Sequence, residues 1–122
     1  MTIIVTDTGF HTETTPPDFM DLSTDVDIDD VTIEPGKPIR ISVPSFADGR
    51  GFTLATLLRM RGHLGLLRAA GHVIADQYAM ARRAGFDEVE ISDELAARQP
   101  EGDWLARARV WREHDYQALL RG

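Results

Sequence analysis

The middle of the chain alternates between two spacings of apolar residues. Every second residue is apolar in 39–43 and 88–92, and less clearly in 66–70, which is typical of half-buried strands. Apolar residues in 52–61 and 73–84 recur instead at helical spacing. Connections of this length between strands favour right-handed crossovers, and hence parallel strands. We therefore predict an α/β fold with a small parallel βαβαβ core.

The two faces of this predicted sheet differ in polarity. One face is apolar, with residues such as Ile41 and Val89, and should receive the helices, whereas the other carries Arg40, Arg68 and Glu90. Parallel sheets are usually covered on both faces. The N-terminal segment, the C-terminal helix or a second subunit could supply the second cover. Because the edges of an isolated core invite pairing with another chain, we favour a homodimer.

The N-terminal flank predicts one strand and little further regular structure. Residues 2–6 fit a short strand, and 9–24, which contain two adjacent prolines, fit a loop or mobile arm. The apolar alternation in 25–33 slips at two adjacent aspartates, so a turn or bulge is expected there. Residues 35–38 (PGKP) predict a firm turn.

The C-terminal flank predicts helices that follow the last core strand. Ser92 or Asp93 can cap a short helix over 93–98, and Asp103 can cap a final helix that reaches about Leu120. We expect a single domain in which the N-terminal strand and arm, the core and the C-terminal helices occupy residues 1–36, 37–92 and 93–122.

Charge is distributed unevenly along the 122 residues, which carry a net charge of −7. Residues 1–36 hold nine acidic residues and no Lys or Arg. We expect this acidic arm either to fold onto the more basic body or to act as a solvated tail. The acidic balance disfavours nucleic-acid binding. With no cysteine, no apolar run of membrane-spanning length and no basic leader, a cytoplasmic protein is the default prediction.

The loop after the first core strand is a candidate anion site. In 44–51 (PSFADGRG), Gly49 and Gly51 flank Arg50 at the predicted start of a helix. Exposed backbone N–H groups and a guanidinium suit a carboxylate, sulfate or phosphate. The alternative is structural, with Asp48 capping the turn and pairing with Arg50.

The loop after the second core strand offers a histidine beside a carboxylate. Gly71 and His72 are followed by Asp76 and Gln77, so His72 or Asp76 could serve as a general base, or the same residues could only cap and bridge the helix start. We predict no metal site, because no histidine has a partner three or four residues away, and no cofactor motif is evident.

The segment 43–91 resembles a known bacterial family, domain of unknown function 934. The resemblance is carried by VPSFADGRGF at 43–52, LLR at 57–59, LRAAGHV at 67–73, DQ at 76–77 and GFD at 85–87. Genes of this family commonly stand beside those of assimilatory sulfite reductase, and its members are labelled as oxidoreductases of sulfite reduction. The chain has Ser45, His72 and Ala84 where family members often have lysine, aspartate and cysteine.

The resemblance and the residues together favour one function and leave two alternatives. The leading hypothesis is an accessory protein of sulfite reduction that binds a small anion or a partner such as sulfite reductase or another sulfur-assimilation enzyme. The second is a small oxidoreductase acting on a sulfur-containing or phosphorylated anion, with His72 or Asp76 as base and Arg50 and Arg68 holding the anion. The third is a purely structural dimeric module. The predicted ligand-binding residues are Asp48, Gly49, Arg50, Gly51, Arg68, Gly71 and Gln77.

Overall fold

The computed structural model describes residues 2–45 and 47–121, so Phe46 of the predicted first loop lies outside the described residues. The strands are β1 (Thr2–Thr6), β2 (Gly9–His11), β3 (Met20–Leu22), β4 (Ile39–Val43), β5 (Leu67–Gly71) and β6 (Glu88–Ser92). The α-helices are α1 (Arg50–Met60), α2 (Tyr78–Ala84), α3 (Asp93–Arg98) and α4 (Glu101–Arg121). Short 3-10 helices cover Ile28–Asp30 and Ala75–Gln77.

The predicted α/β fold with a parallel βαβαβ core is confirmed. β4, β5 and β6 are adjacent and parallel, with Ile41 beside Ala69 and Ala69 beside Val89. These residues point to one face, where α1 and α2 pack and where the core is almost completely shielded from solvent. The largest side chain in this core is Trp104 of α4, whose ring meets that of Tyr78 edge-on at 6.0 Å between centroids.

Short strands from the N-terminal region extend both edges of the parallel core. β1 pairs antiparallel with β6, β2 pairs antiparallel with β1, and β3 pairs parallel with β4 on the opposite side. The prediction of a loop or arm over 9–24 was therefore wrong for β2 and β3. Strands of three residues are too short to show an alternation of apolar and polar residues. They are defined only by their pairing with β1 and β4. The core edges that favoured a homodimer are paired within the chain, and the homodimer itself stays a prediction.

Local boundaries differ from the predictions where backbone hydrogen bonds decide the geometry. The turn expected near Asp29 and Asp30 is a 3-10 helix, capped by the carboxylate of Asp27, which accepts from the Asp29 N–H at 3.0 Å. The predicted helix over 73–84 becomes α-helical only at Tyr78. The last helix begins at Glu101, two residues before the predicted cap Asp103.

The polar face of the sheet is covered by the N-terminal segment. Arg68, whose side chain is only 1% exposed, donates to Glu88 and Glu90 on β6 at 2.7 and 2.8 Å. Its remaining donors reach Glu13 at 2.6 and 3.0 Å, and the ring of Phe19 lies 4.6 Å from its guanidinium carbon. Of the three covers considered from the sequence, the N-terminal segment thus supplies the one over Arg68.

The acidic arm folds onto the basic body through a series of ion pairs, as one of the two sequence interpretations expected. The pairs are Asp7–Arg82, Glu13–Arg68, Asp18–Lys37, Asp21–Arg40, Asp25–Arg50 and Asp29–Arg61. Hydrogen bonds from Arg68 and Arg40 lower the pKa of Glu13 and Asp21, respectively, below their ordinary values. These two carboxylates therefore stabilise the fold above their ordinary pKa, and that contribution is lost as the pH falls through the lowered values.

Replacing the buried arginine should destabilise the fold far more than replacing an exposed cation of the same arm. Arg68→Met leaves three carboxylates without their shared partner, which should lower the free energy of unfolding by about 3 kcal/mol. The matched control is Lys37→Met, because its partner Asp18 is 96% exposed, and its cost should stay below about 1 kcal/mol. Urea unfolding measures both values. Equal costs for the two variants would contradict the role assigned to Arg68.

Candidate functional site

The carboxyl ends of the parallel strands meet at one edge of the sheet, where α/β folds usually bind ligands. Gly71 ends β5 in a left-handed conformation with a φ of +128°, and a Cβ there would lie 2.4 Å from the carbonyl oxygen of Val43. The same carbonyl accepts from the His72 N–H at 2.9 Å. Gly71 is therefore required for the close approach of the two strand ends, which places His72 at the edge.

The charges of the first loop neutralise each other. The Asp48 carboxylate accepts from the backbone N–H and the Nε of Arg50, both at 3.0 Å, and these bonds lower the pKa of Asp48 to about 2. Arg50 also pairs with Asp25 of the arm. An external anion at this loop would have to compete with two carboxylates for one guanidinium. This arrangement matches the structural alternative considered for Asp48 and Arg50.

The two glycines beside Arg50 lie in different surroundings. A Cβ on Gly51 would lie 3.3 Å from a methyl group of Val43, so this glycine permits close packing of α1 on β4. A Cβ on Gly49 would meet nothing within 4 Å.

The second loop separates its two candidate bases. The carboxylate of Asp76 pairs with Arg107 of α4 at 2.7 Å and faces a depression lined by residues of that helix. The side-chain oxygen of Gln77 accepts from the Ile74 N–H at 3.1 Å and closes the start of the 3-10 helix. His72 instead lines a cavity with Ser92, the last residue of β6, and with residues of α3. The arrangement therefore does not bring His72 and Asp76 into one cavity.

Several residues of the family-like motifs are explained by packing. Arg59 at the end of α1 donates to the carbonyl oxygens of His63, Gly65 and Gly85 and to the carboxylate of Asp87. A Cβ on Gly85, whose φ is +119°, would lie 2.7 Å from the Arg59 side chain. Arg59 thus ties the end of α1 to the loops that precede β5 and β6. Arg68, predicted as a ligand residue, lies within the sheet among carboxylates, as described above.

A small cavity of about 120 Å³ lies at the carboxyl edge beside β5 and β6. Its lining residues are His72, Ser92, Glu94, Leu95 and Arg98. Ser92 caps α3, and its Oγ accepts from the Leu95 N–H at 3.1 Å, which leaves its hydroxyl proton able to donate. Leu95 packs against the hydrophobic core and holds this helix to the sheet.

Among the described residues, the Arg98 side chain has no carboxylate partner. Seven of the arginines described pair with carboxylates, whereas Arg83, Arg98, Arg109 and Arg112 have no such partner among the described residues. Of these four, Arg98 is the one that lines the cavity at the carboxyl edge. Sequence reasoning missed it because Glu94 and Arg98, four residues apart, indicate an ordinary ion pair within a helix.

A larger and more open groove of about 600 Å³ runs beside α1. Its floor is apolar, with Val26 and Ile28 of the arm opposite Leu54 and Leu57, and Arg50 lies at one end. Within residues 2–45 and 47–121, no group of three or more His, Asp or Glu side chains is placed to hold a metal ion. None of the helices searched in that part of the chain combines the length and apolarity needed to cross a membrane.

Comparison with known families places residues 20–121 within the model of a bacterial protein family of unknown function, DUF934. The chain belongs to this family. The match covers the parallel core, the site edge and all of α4, so the arrangement described here is that of a DUF934 protein. No curated protein and no solved structure matches the chain.

The acid titration of Asp48 tests the geometry of the first loop in this DUF934 protein. Because Arg50 lowers the pKa of Asp48 from 3.8 to about 2, the ion pair stabilises the loop above the ordinary value and is lost as the pH falls through about 2. Arg50→Met should return the pKa of Asp48 towards 3.8, as measured by NMR of the carboxyl carbon. Arg61→Met, which removes the ion pair of Asp29 with Arg61 at the opposite end of α1, should leave this titration unchanged. An unaltered Asp48 titration in Arg50→Met would contradict the pairing.

Proposed function

We propose that this DUF934 protein is an accessory protein of assimilatory sulfite reduction that binds a small oxyanion at the carboxyl edge of its sheet. The observation that carries the proposal is the cavity between β5, β6 and α3, where His72 and Ser92 meet Arg98, which has no carboxylate partner in the described part of the chain. The connection with sulfite reduction rests on the resemblance of residues 43–91, because genes of the resembled family commonly stand beside those of assimilatory sulfite reductase.

The donors around the cavity suit an anion with several oxygens. Arg98 is charged at every physiological pH and offers up to five N–H donors, and Ser92 adds a hydroxyl. His72 also lines the cavity and adds a polar side chain to it. A sulfur or phosphorus oxyanion can accept hydrogen bonds from these different directions at once.

The size of the cavity limits the ligand. One water occupies about 30 Å³ in the liquid, so 120 Å³ accommodates a few waters or one compact ion. Pockets for drug-sized ligands and cofactors are typically about 300–1,000 Å³. The cavity therefore favours an ion the size of sulfite, sulfate or phosphate over a nucleotide or a flavin.

The anion site proposed here differs from the one predicted from the sequence: it lies between the end of β5 and the start of α3, and not at the loop over 44–51. The sequence placed the cation at Arg50, which the structure pairs with Asp48 and Asp25. His72 belongs to both the site predicted from the sequence and the cavity proposed here, and Arg98 supplies the positive charge that was expected from Arg50. The oxidoreductase alternative relied on Arg50 and Arg68 to hold its substrate, and both guanidiniums already have carboxylate partners.

Isothermal titration with sulfite, sulfate and phosphate tests the site. At least one of these anions should bind the wild-type protein, and Arg98→Ala should weaken its binding about tenfold or more because a charged hydrogen-bond donor is lost.

The matched control is Arg83→Ala, which removes an exposed arginine on α2 that also lacks a carboxylate partner, and it should bind as the wild type does. Arg50→Ala should also retain binding. Loss of binding in Arg50→Ala but not in Arg98→Ala would move the site back to the first loop.

A second candidate function is docking on a partner enzyme, and the groove beside α1 favours it. Its volume of about 600 Å³ is larger than a small ion needs, and its apolar lining does not suit an ion. A pull-down with sulfite reductase, using Leu57→Glu to place a charge in the groove floor, tests this candidate. Capture by the wild type and not by the variant would support docking, and capture by neither would count against it.

A further inference from the structure

The cavity of the proposed anion site also contains a carboxylate. Glu94 lines it together with Arg98, and neither side chain has an ion-pair partner among the described residues. A carboxylate that faces a fully ionised oxyanion only repels it, whereas it accepts a hydrogen bond from an oxyanion that still carries a proton. The presence of Glu94 therefore bears on which anions the site accepts.

We propose that Glu94 makes this cavity selective for oxyanions that retain an acidic proton near neutral pH, such as hydrogen phosphate and hydrogen sulfite, over fully ionised sulfate. This inference rests on the proposed function, because it concerns the specificity of the same cavity. Arg98 and Ser92 donate to the ionised oxygens of the anion, and Glu94 accepts from its hydroxyl group. Glu94 is a specificity-determining residue.

The helix fixes the relative position of the donor and the acceptor. Glu94 and Arg98 lie one turn apart on α3, so their side chains emerge on the same side of the helix. Ser92 caps the start of this helix, and Leu95 anchors it against the core. An anion in the cavity is thus bracketed by a guanidinium and a carboxylate whose separation is set by the helical repeat.

Direct pairing of Glu94 with Arg98 is the arrangement that would compete with the anion. The structure shows no such ion pair between these two described residues, although the spacing allows one. Exposed pairs of this kind contribute little to stability, because water and salt screen them. A protonated oxyanion placed between the two side chains accepts from Arg98 and donates to Glu94, whereas sulfate accepts from Arg98 and is repelled by Glu94.

Titration calorimetry at pH 7 and constant ionic strength, with phosphate, sulfite and sulfate as separate ligands, measures the selectivity. The wild-type protein should bind phosphate and sulfite about tenfold more tightly than sulfate, the difference between gaining one charge-assisted hydrogen bond and meeting one like charge. Glu94→Gln removes the charge and adds a donor, so sulfate affinity should rise and the ratio should approach one. The matched control, Glu113→Gln on the exposed surface of α4, should keep the wild-type ratio.

The outcomes separate this inference from the proposed function. If the wild type binds sulfate as tightly as phosphate and sulfite, and Arg98→Ala still abolishes all three, the selectivity is overturned while the site stands. If no anion binds the wild type, both are overturned. A Glu94→Gln protein that remains folded by circular dichroism and keeps the wild-type ratio also overturns the role of Glu94.

Discussion

A parallel sheet must be covered on both faces, and in this protein ion pairs hold the N-terminal segment over the second face. The two helices of the crossovers protect the apolar face, but the other face carries charged side chains that ordinary hydrophobic packing could not bury. Arg68 resolves this by binding two glutamates of the neighbouring strand and one of the arm, beneath the ring of Phe19. The N-terminal segment is thus part of the fold, because without Glu13 and Phe19 this face would lose its cover.

The same constraint organises the rest of the arm. Each of its carboxylates pairs with a different cation of the body, in the sheet, in the turn before β4 or at an end of α1. The acidic N-terminal segment is therefore attracted to the more basic remainder of the chain. Exposed members of this series contribute little individually. Arg68 differs because its charge is almost fully removed from water, where an unmatched partner is costly. The pairs also use up Arg50 and Arg68, the two cations that the sequence offered for ligand binding.

The parallel core could be predicted from the sequence because its signal is local. The alternation in Ile39–Val43 and Glu88–Ser92 gives the strand bounds that the structure shows. β2 and β3 could not be predicted, since three residues show no period and their partners lie far along the chain. Ser92, one of the two caps predicted for α3, does cap it. The start of α2 was not predicted, because a 3-10 turn over Ala75–Gln77 precedes it. The first turn of α4 is closed by a hydrogen bond from the Asp103 N–H to the Pro100 carbonyl at 2.9 Å.

The site was only half predictable, for a reason that lies in long-range pairing. His72 follows a strand and could be placed at the ligand-binding edge from chain order alone. Whether an arginine is available there depends on which carboxylates reach it, and the partners of Arg50 and Arg68 include residues 25 and 55 positions away. Arg98 is the opposite case: Glu94, four residues earlier in α3, suggests an ion pair, but the described structure shows no such pair. In this acidic chain most of the described arginines pair with carboxylates. Arg98, at the carboxyl edge of the parallel strands, has no such partner among the described residues, and the proposed anion site was placed there for that reason.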